Sequence, residues 1–188
     1  MSEKNPVISN SFVGLDLSLT GTGFCLKRGQ ELIMKTIKTT PKTSIHDIAR
    51  LQYIRDELMK MIPSGVSMVC VEDFFIPHSS MQMNAAKVLI MLGTTVRLAL
   101  VDQKIPFYII SPQQLKKYGT GKGNGPKGLV IREIYKRWGV DAKDDNQADA
   151  TVLAYMAEAL FDSSVSIHQY QVDTLDKVRA DSPKYNID

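Results

Sequence analysis

The sequence predicts an α/β fold: one mixed sheet, opened by an antiparallel three-strand meander and continued by parallel strands, flanked by helices. Three observations predict it. Residues 12–39 alternate polar and apolar side chains between glycines at reversal positions. After them, segments of helical periodicity take turns with short apolar runs. At 188 residues, 44% hydrophobic and 23% charged, the chain suits one globular domain with a substantial core.

The meander reads FVGLDLS, GTGFCLKRG and ELIMKTIKT, reversing at Gly21 and Gly29. From Ser44 to Met61, Ile45, Ile48, Leu51, Ile54, Leu58 and Met61 recur at helical spacing, and Pro63 with Gly65 closes the helix. VSMVCVE, residues 66–72, is a continuous apolar run ending in an acid, as expected of a strand covered on both faces. A long helix over about 80–103 sets Ala85, Val88, Leu89, Leu92, Val96 and Ala99 on one stripe, and PFYIIS gives the next strand. Ser111 and Pro112 read as the N-cap and first position of a short helix. The Gly-rich YGTGKGNGPKG then leads into a helix from Lys127 to Trp138, and Asp145–Phe161 forms the last strong one. This order fits an RNase H-like architecture. Residues 1–11 read as an N-terminal extension, 12–161 as the folded domain, and 162–188 as a polar tail, mobile or docked on the surface, because its apolar residues show no sustained period.

The net charge of +3 is too small to name a partner by itself. Cys25 and Cys70 sit in apolar strand segments without CxxC or metal-ligand spacing, which predicts reduced, buried thiols. MSEKNPVISN lacks the apolar stretch of a signal peptide, and no window approaches the ~20 apolar residues of a membrane span. The expectation is a cytoplasmic protein with no membrane partner.

Four acids stand where acids are costly. Asp16 lies between Leu15 and Leu17 in a core strand, where an unpaired carboxylate costs several kcal/mol or takes up a proton. Glu72 ends an apolar strand, where open α/β sheets present side chains to a crevice. On the last helix, Asp145 and Asp149 top the stripe that continues through Val152 and Met156, a stripe expected to face the sheet, while Ala148 and Ala150 would allow close approach. Each acid alone has a local explanation: hydrogen bonds from the Ser18–Thr22 turn for Asp16, a solvated strand end for Glu72, an N-cap for Asp145. Together, four carboxylates from two strands and a helix require cations between them, and an oxygen-only set selects Mg²⁺ or Mn²⁺.

GLDLSLTGTGF, VEDFF, NAAKVLIMLG, SPQQLKKYGTGKGNGPK and DDNQADATVLA, spread over Phe12 to Phe161, resemble the corresponding segments of RuvC-type Holliday-junction resolvases. The resemblance implies an RNase H-like fold, a homodimer, two Mg²⁺ ions with Mn²⁺ as possible substitute, and paired symmetric nicks in four-way DNA junctions. It matches Asp16, Glu72 and Asp149 to the family's metal-binding acids. The position three before the last acid, often acidic or His in bacterial members, is Asn146 here; Asp145, four before, is the preferred fourth ligand, with Asn146 and Asp144 as lesser candidates. The resemblance also matches Lys116 and Lys127 to lysines at the substrate near the catalytic centre, and Phe75 to an apolar wedge between bases.

Between Pro112 and Arg137, Lys116, Lys117, Lys122, Lys127, Arg132, Lys136 and Arg137 face one acid, Glu133, which reads either as a phosphate-binding surface or as a solvated helix and loop. Gly123–Gly128 formally matches GxGxxG, but no strand precedes it and no Ser or Thr follows a Gly-Lys pair, so neither a dinucleotide site nor a P-loop is indicated. His46, His78 and His168 show no Ser/His or Cys/His constellation and read as surface residues. Ala85, Ala86 and Gly93 mark the long helix as the candidate dimer interface. The readings carried forward are a junction resolvase, a relaxed branched-DNA or fork nuclease with the same chemistry, a non-catalytic DNA-binding module, and an actin-like ATPase, for which the chain is short.

Overall fold

The computed structural model describes residues 10–40, 47–74, 80–126, 128–182 and 185, with backbone only for residues 47 and 80–85. The chain runs β1 (Phe12–Asp16), β2 (Gly21–Arg28), β3 (Glu31–Lys38), α1 (Asp47–Met61), β4 (Met68–Glu72), α2 (Ser80–Asp102), β5 (Phe107–Ile110), α3 (Pro112–Thr120), α4 (Leu129–Trp138), α5 (Asp145–Phe161) and α6 (Gln169–Asp181). The sheet order is β3-β2-β1-β4-β5. The meander pairs are antiparallel, and β1–β4 and β4–β5 are parallel, as the sequence predicts. No helix among the described residues is long and apolar enough to cross a membrane.

Period-two alternation divides the strands between two cores. Val13, Leu15, Val69 and Val71 face α1 and α2, packing with Leu51, Ile54, Leu58, Leu92 and Val96. Phe12, Met68 and Cys70 face the other way, onto Leu115, Ile134, Val152 and Met156 from α3, α4 and α5. Parity therefore sends Asp16, in step with Phe12 and Gly14, and Glu72, in step with Met68 and Cys70, to the α5 side. Since Leu15 pairs with Val71, Asp16 and Glu72 are the next residues on neighbouring parallel strands. Both cysteines are free and buried.

Contact between α5 and the sheet is backbone to backbone. A Cβ added at Gly14 would overlap the Ala150 carbonyl oxygen and lie 2.5 Å from the Ala154 amide nitrogen, and one at Gly23 would overlap the Asn146 carbonyl oxygen. The row of α5 nearest β1 is thus Ala150, Leu153 and Ala154, not the predicted stripe of Asp145, Asp149, Val152 and Met156. That stripe lies further round the helix, where Val152 packs on Gly119 of α3. The stripe still faces the sheet, beside that row, with Val152 and Met156 in one core with Met68 and Cys70 of β4; α5 is nevertheless buried nearly all round, because α3 and α4 cover its other side, so hydrophobicity does not mark a single face.

The structure narrows two further readings that the sequence left open. The segment after Asp162 is no mobile tail: it forms α6, with Leu175 and Val178 in the core beside α3 and α5, and Tyr185 stacks on Phe107 at 4.8 Å. Its short apolar face escapes a search for sustained periodicity. On α2, Ala86 is buried and Gly93 leaves room for the Phe74 ring, whose Cε1 would lie 2.9 Å from an added Cβ. Ala86 and Gly93 thus serve contacts within the chain, and among the described side chains of α2 the exposed large apolar ones are Met91 and Leu98.

Two substitutions test the packing. Gly14→Ala forces α5 off β1 and is expected to cost about 3 kcal/mol or more by denaturant unfolding, at the upper end of overpacking penalties. Leu175→Ala is expected to cost ~2–5 kcal/mol by the same measurement, as for a fully enclosed leucine; a loss under about 0.5 kcal/mol would show α6 to be dispensable.

Candidate active site

The hairpin after β1 does not serve Asp16. Ser18 N donates to Thr22 Oγ1 at 3.3 Å, and Thr22 Oγ1 donates to the Ser18 carbonyl at 2.5 Å, so the turn closes on itself. Asp16 remains 8% exposed. Burial raises its carboxyl above the usual range; a hydrogen bond shared with Glu72 opposes this, while the charges of Asp144 and Asp145 add to it.

Glu72 and Asp149 share the same field. Burial, then the hydrogen bond with Asp16 and the charges of Asp16 and Asp149, push Glu72 up to about 10, with Lys116 pulling the other way. Burial and the charges of Asp16 and Asp145 push Asp149 up to about 7, again with Lys116 opposing. Asp149 Oδ1 is buried without a hydrogen-bond partner. Without cations the cluster therefore holds protons at neutral pH, the outcome expected of like charges gathered out of water. Among the described residues no three acids are already closed into an ion cage.

The three adjacent candidates at the start of α5 have different surroundings. Asp144 is the N-cap, accepting from Gln147 N at 2.9 Å and from Thr36 Oγ1 at 2.8 Å. Asn146 lies against Gly21 and Gly23 of β2. Asp145 lines, with Asp149, a pocket of about 340 Å³ bounded by Lys116, Thr120, Asn124, Gly125 and Leu129. The N-cap that the sequence allowed for Asp145 is filled by its neighbour.

Lys116 reaches this pocket because α3 is fixed at its start. Ser111 Oγ accepts from Gln114 N at 3.2 Å while Gln114 Oε1 accepts from Ser111 N at 2.9 Å, a complete capping box with Pro112 behind it. Lys117, one residue on, lines a separate hollow between α3 and α6 with Gln114, Lys177 and Asp181. Lys122 is exposed, its backbone N–H donating to Thr120 Oγ1 at 3.1 Å. Phe75 and Lys127 lie outside the described residues.

Sequence reasoning missed the support of the strand end behind Glu72. Asp73 N donates to the Ile110 carbonyl at 2.7 Å, Arg97 pairs with Asp73 at 2.8 Å, and the same guanidinium lies 4.9 Å from the Phe74 ring centre. Arg97 reaches these partners from α2, and no local pattern links residues so far apart in the chain.

No protein-family model matches the chain, and no curated protein matches it in sequence. Its structure is similar to that of Thermus thermophilus RuvC in complex with a Holliday junction substrate, at TM-score 0.60 and 19% identity, covering 77% of this chain and 90% of that one. A second Thermus thermophilus RuvC structure is similar at TM-score 0.59 and 20% identity, with the same coverage. The five-stranded mixed sheet with helices on both faces is therefore a RuvC-type, RNase H-like fold.

Proposed function

We propose that the chain is a divalent-metal-dependent endonuclease that resolves four-way DNA junctions by paired symmetric nicks, acting as a homodimer. The observation carrying this reading is the convergence of Asp16, Glu72 and Asp149, from two strands and a helix, into one field where burial and mutual repulsion raise all three. The RuvC structure of like fold holds a Holliday junction substrate, which supports branched DNA as the partner.

The residues fit divalent ions. The donor set is oxygen-only, Asp149 Oδ1 is buried and unpartnered, and Asp145 opens onto the same pocket. Asp16, Glu72, Asp145 and Asp149 would hold Mg²⁺, with Mn²⁺ as substitute. Bound there, the ions would supply Lewis-acid stabilisation of the charge that develops as the phosphodiester is hydrolysed.

The chain's own groups do the rest. Burial keeps the acids short of water, so they are loaded with protons until a stronger cation displaces them. Lys116, exposed at the pocket and already felt electrostatically by Glu72 and Asp149, would hold a phosphate beside them. Lys117, Lys122 and Lys127 are assigned to further backbone phosphates, Lys127 also to the catalytic centre, and Phe75 to the wedge that opens the junction. Two copies related by a two-fold axis would nick opposed strands symmetrically.

In a cleavage assay comparing a four-way junction, a fork and linear duplex in Mg²⁺, paired symmetric nicks confined to the junction are expected. Equal cutting of the fork would replace the resolvase by a relaxed branched-DNA nuclease. Asp16→Asn is expected to lower nicking by at least about 10³-fold while junction binding in Ca²⁺ survives; nicking at the wild-type rate would refute the site.

Stability should reveal the same cluster. An acid whose pKa is higher folded than unfolded stabilises fully below its unfolded value, and that contribution is lost as pH rises through the folded value. For Asp149 the loss runs from about 4 to about 7, and for Glu72 it continues towards about 10. In EDTA the melting temperature is therefore expected to fall as pH rises from 5 to 8, and Mg²⁺ to raise it more at pH 8 than at pH 5. An equal Mg²⁺ effect at both values would count against carboxylate ligation.

A further inference from the structure

A second hollow, of about 800 Å³, opens at the other end of α4 from the acids. Leu129 and Val130, in the first turn of α4, line the acid pocket; Lys136, Arg137 and Trp138, in its last turn, line this one. One wall is aromatic, with the Trp138 and Tyr155 rings stacked 4.0 Å apart and 5° from parallel. The rim is cationic: the Lys136 side chain is 60% exposed, and Arg137 Nε is buried without a hydrogen-bond partner.

Nearby acids do not cancel this charge. Glu133 is shared among Arg132, Lys136 and Arg137 at 3.5, 3.6 and 3.8 Å, leaving cations in excess. Glu158, the hollow's own acid, is bound to the buried Lys27 Nζ at 2.6 Å. An aromatic wall beside exposed Lys136 and partly exposed Arg137, whose guanidinium lies 5.3 Å from the Tyr170 ring centre, suits a planar base joined to a phosphate. Beside the hollow, on the outer face of α4, Arg132, exposed Tyr135 and Lys136 are helical neighbours that carry the charge on from its rim. That continuity favours a strand over a free nucleotide.

We propose that this hollow holds one nucleotide unit of a DNA strand, the phosphate on Arg137 and Lys136 and the base against Trp138. The ten residues of α4 span ~15 Å, at most roughly four nucleotides at the ~3.4 Å axial spacing of duplex DNA and fewer along a more extended strand. The contact therefore falls within roughly four nucleotides of the strand position at the acid pocket. This inference rests on the DNA-binding reading above and adds to it where the strand leaves the catalytic pocket.

Trp138 is the single tryptophan of the chain, so its fluorescence reports on this hollow directly. The 188-residue chain is titrated with a four-way junction in Ca²⁺, following DNA anisotropy and tryptophan emission together. Emission is expected to be lost in step with binding. A neutral methylphosphonate at one of the linkages within roughly four nucleotides of the mapped nick on one side should weaken binding, and the same linkages on the opposite side of the nick should not. Arg137→Gln is expected to weaken affinity roughly ten-fold and lower the salt slope by about one, and Trp138→Phe to retain affinity that Trp138→Ala loses. Saturating anisotropy with unchanged emission, or full affinity in Arg137→Gln, overturns the strand contact while leaving the nuclease reading intact. Equal loss of emission with a free deoxynucleoside monophosphate would make the hollow a mononucleotide site and also overturn it. No anisotropy change with any DNA brings down both readings.

Discussion

Everything at the acid cluster depends on how closely α5 lies against β1 and β2. Side chains normally hold a helix and a sheet apart; here Gly14 and Gly23 remove them on the sheet side, and Ala150 and Ala154 keep them minimal on the helix. Backbone then meets backbone, and the first turns of α5 come down beside the ends of β1 and β4. Asp149 is brought into the field of Asp16 and Glu72 by this approach, and the same approach excludes the water that would otherwise separate their charges. Packing and electrostatics thus have one cause.

The sheet divides labour between its faces. On the α1 and α2 side, aliphatic residues from β1 and β4 meet aliphatic residues from two helices, and every member of that cluster is apolar. The α5 side bears the acids, the capped start of α3 that presents Lys116, and α4 with its basic last turn. The link between faces is Arg97, which reaches from α2 to Asp73 and Phe74 immediately after Glu72. Its contacts tie the strand end bearing one acid to the helix on the opposite face, so that movement of α2 would be felt at Glu72.

Much of this was legible in the sequence, for identifiable reasons. Strand and helix order followed from period and punctuation, and Ser111-Pro112 announced the N-cap and first position of α3, which Gln114 completes as a capping box. Asp16 could be singled out because Leu15 and Leu17 flank it. What escaped depended on tertiary environment: α5 has no single face to read because it is covered by both sheet and helices, and α6 buries Leu175 and Val178 on a face too short to show a sustained period. Adjacent acids were also beyond sequence reasoning. Whether Asp144 or Asp145 caps α5 is a matter of one backbone step, decided by Thr36 on β3, which donates to Asp144. Arg97 had no signal, since its partners come from another element.

The local explanations for the acids can now be weighed by where their hydrogen bonds go. The turn that could have satisfied Asp16 bonds Ser18 to Thr22, and the cap that could have satisfied Asp145 belongs to Asp144. Asp16 is left with Glu72, and Asp149 with a buried oxygen that accepts no hydrogen bond. Protons can fill that vacancy only while the raised carboxyls keep them, and each proton removes one charge from the site. Under the proposed function, four ionised carboxylates and one phosphodiester exceed Lys116 and Lys127 by three negative charges, more than one divalent cation neutralises. One such ion would leave part of that excess buried at the point where the hydrolysed phosphate gains further charge. The acid content of the cluster is thus in keeping with the pair of ions proposed for it.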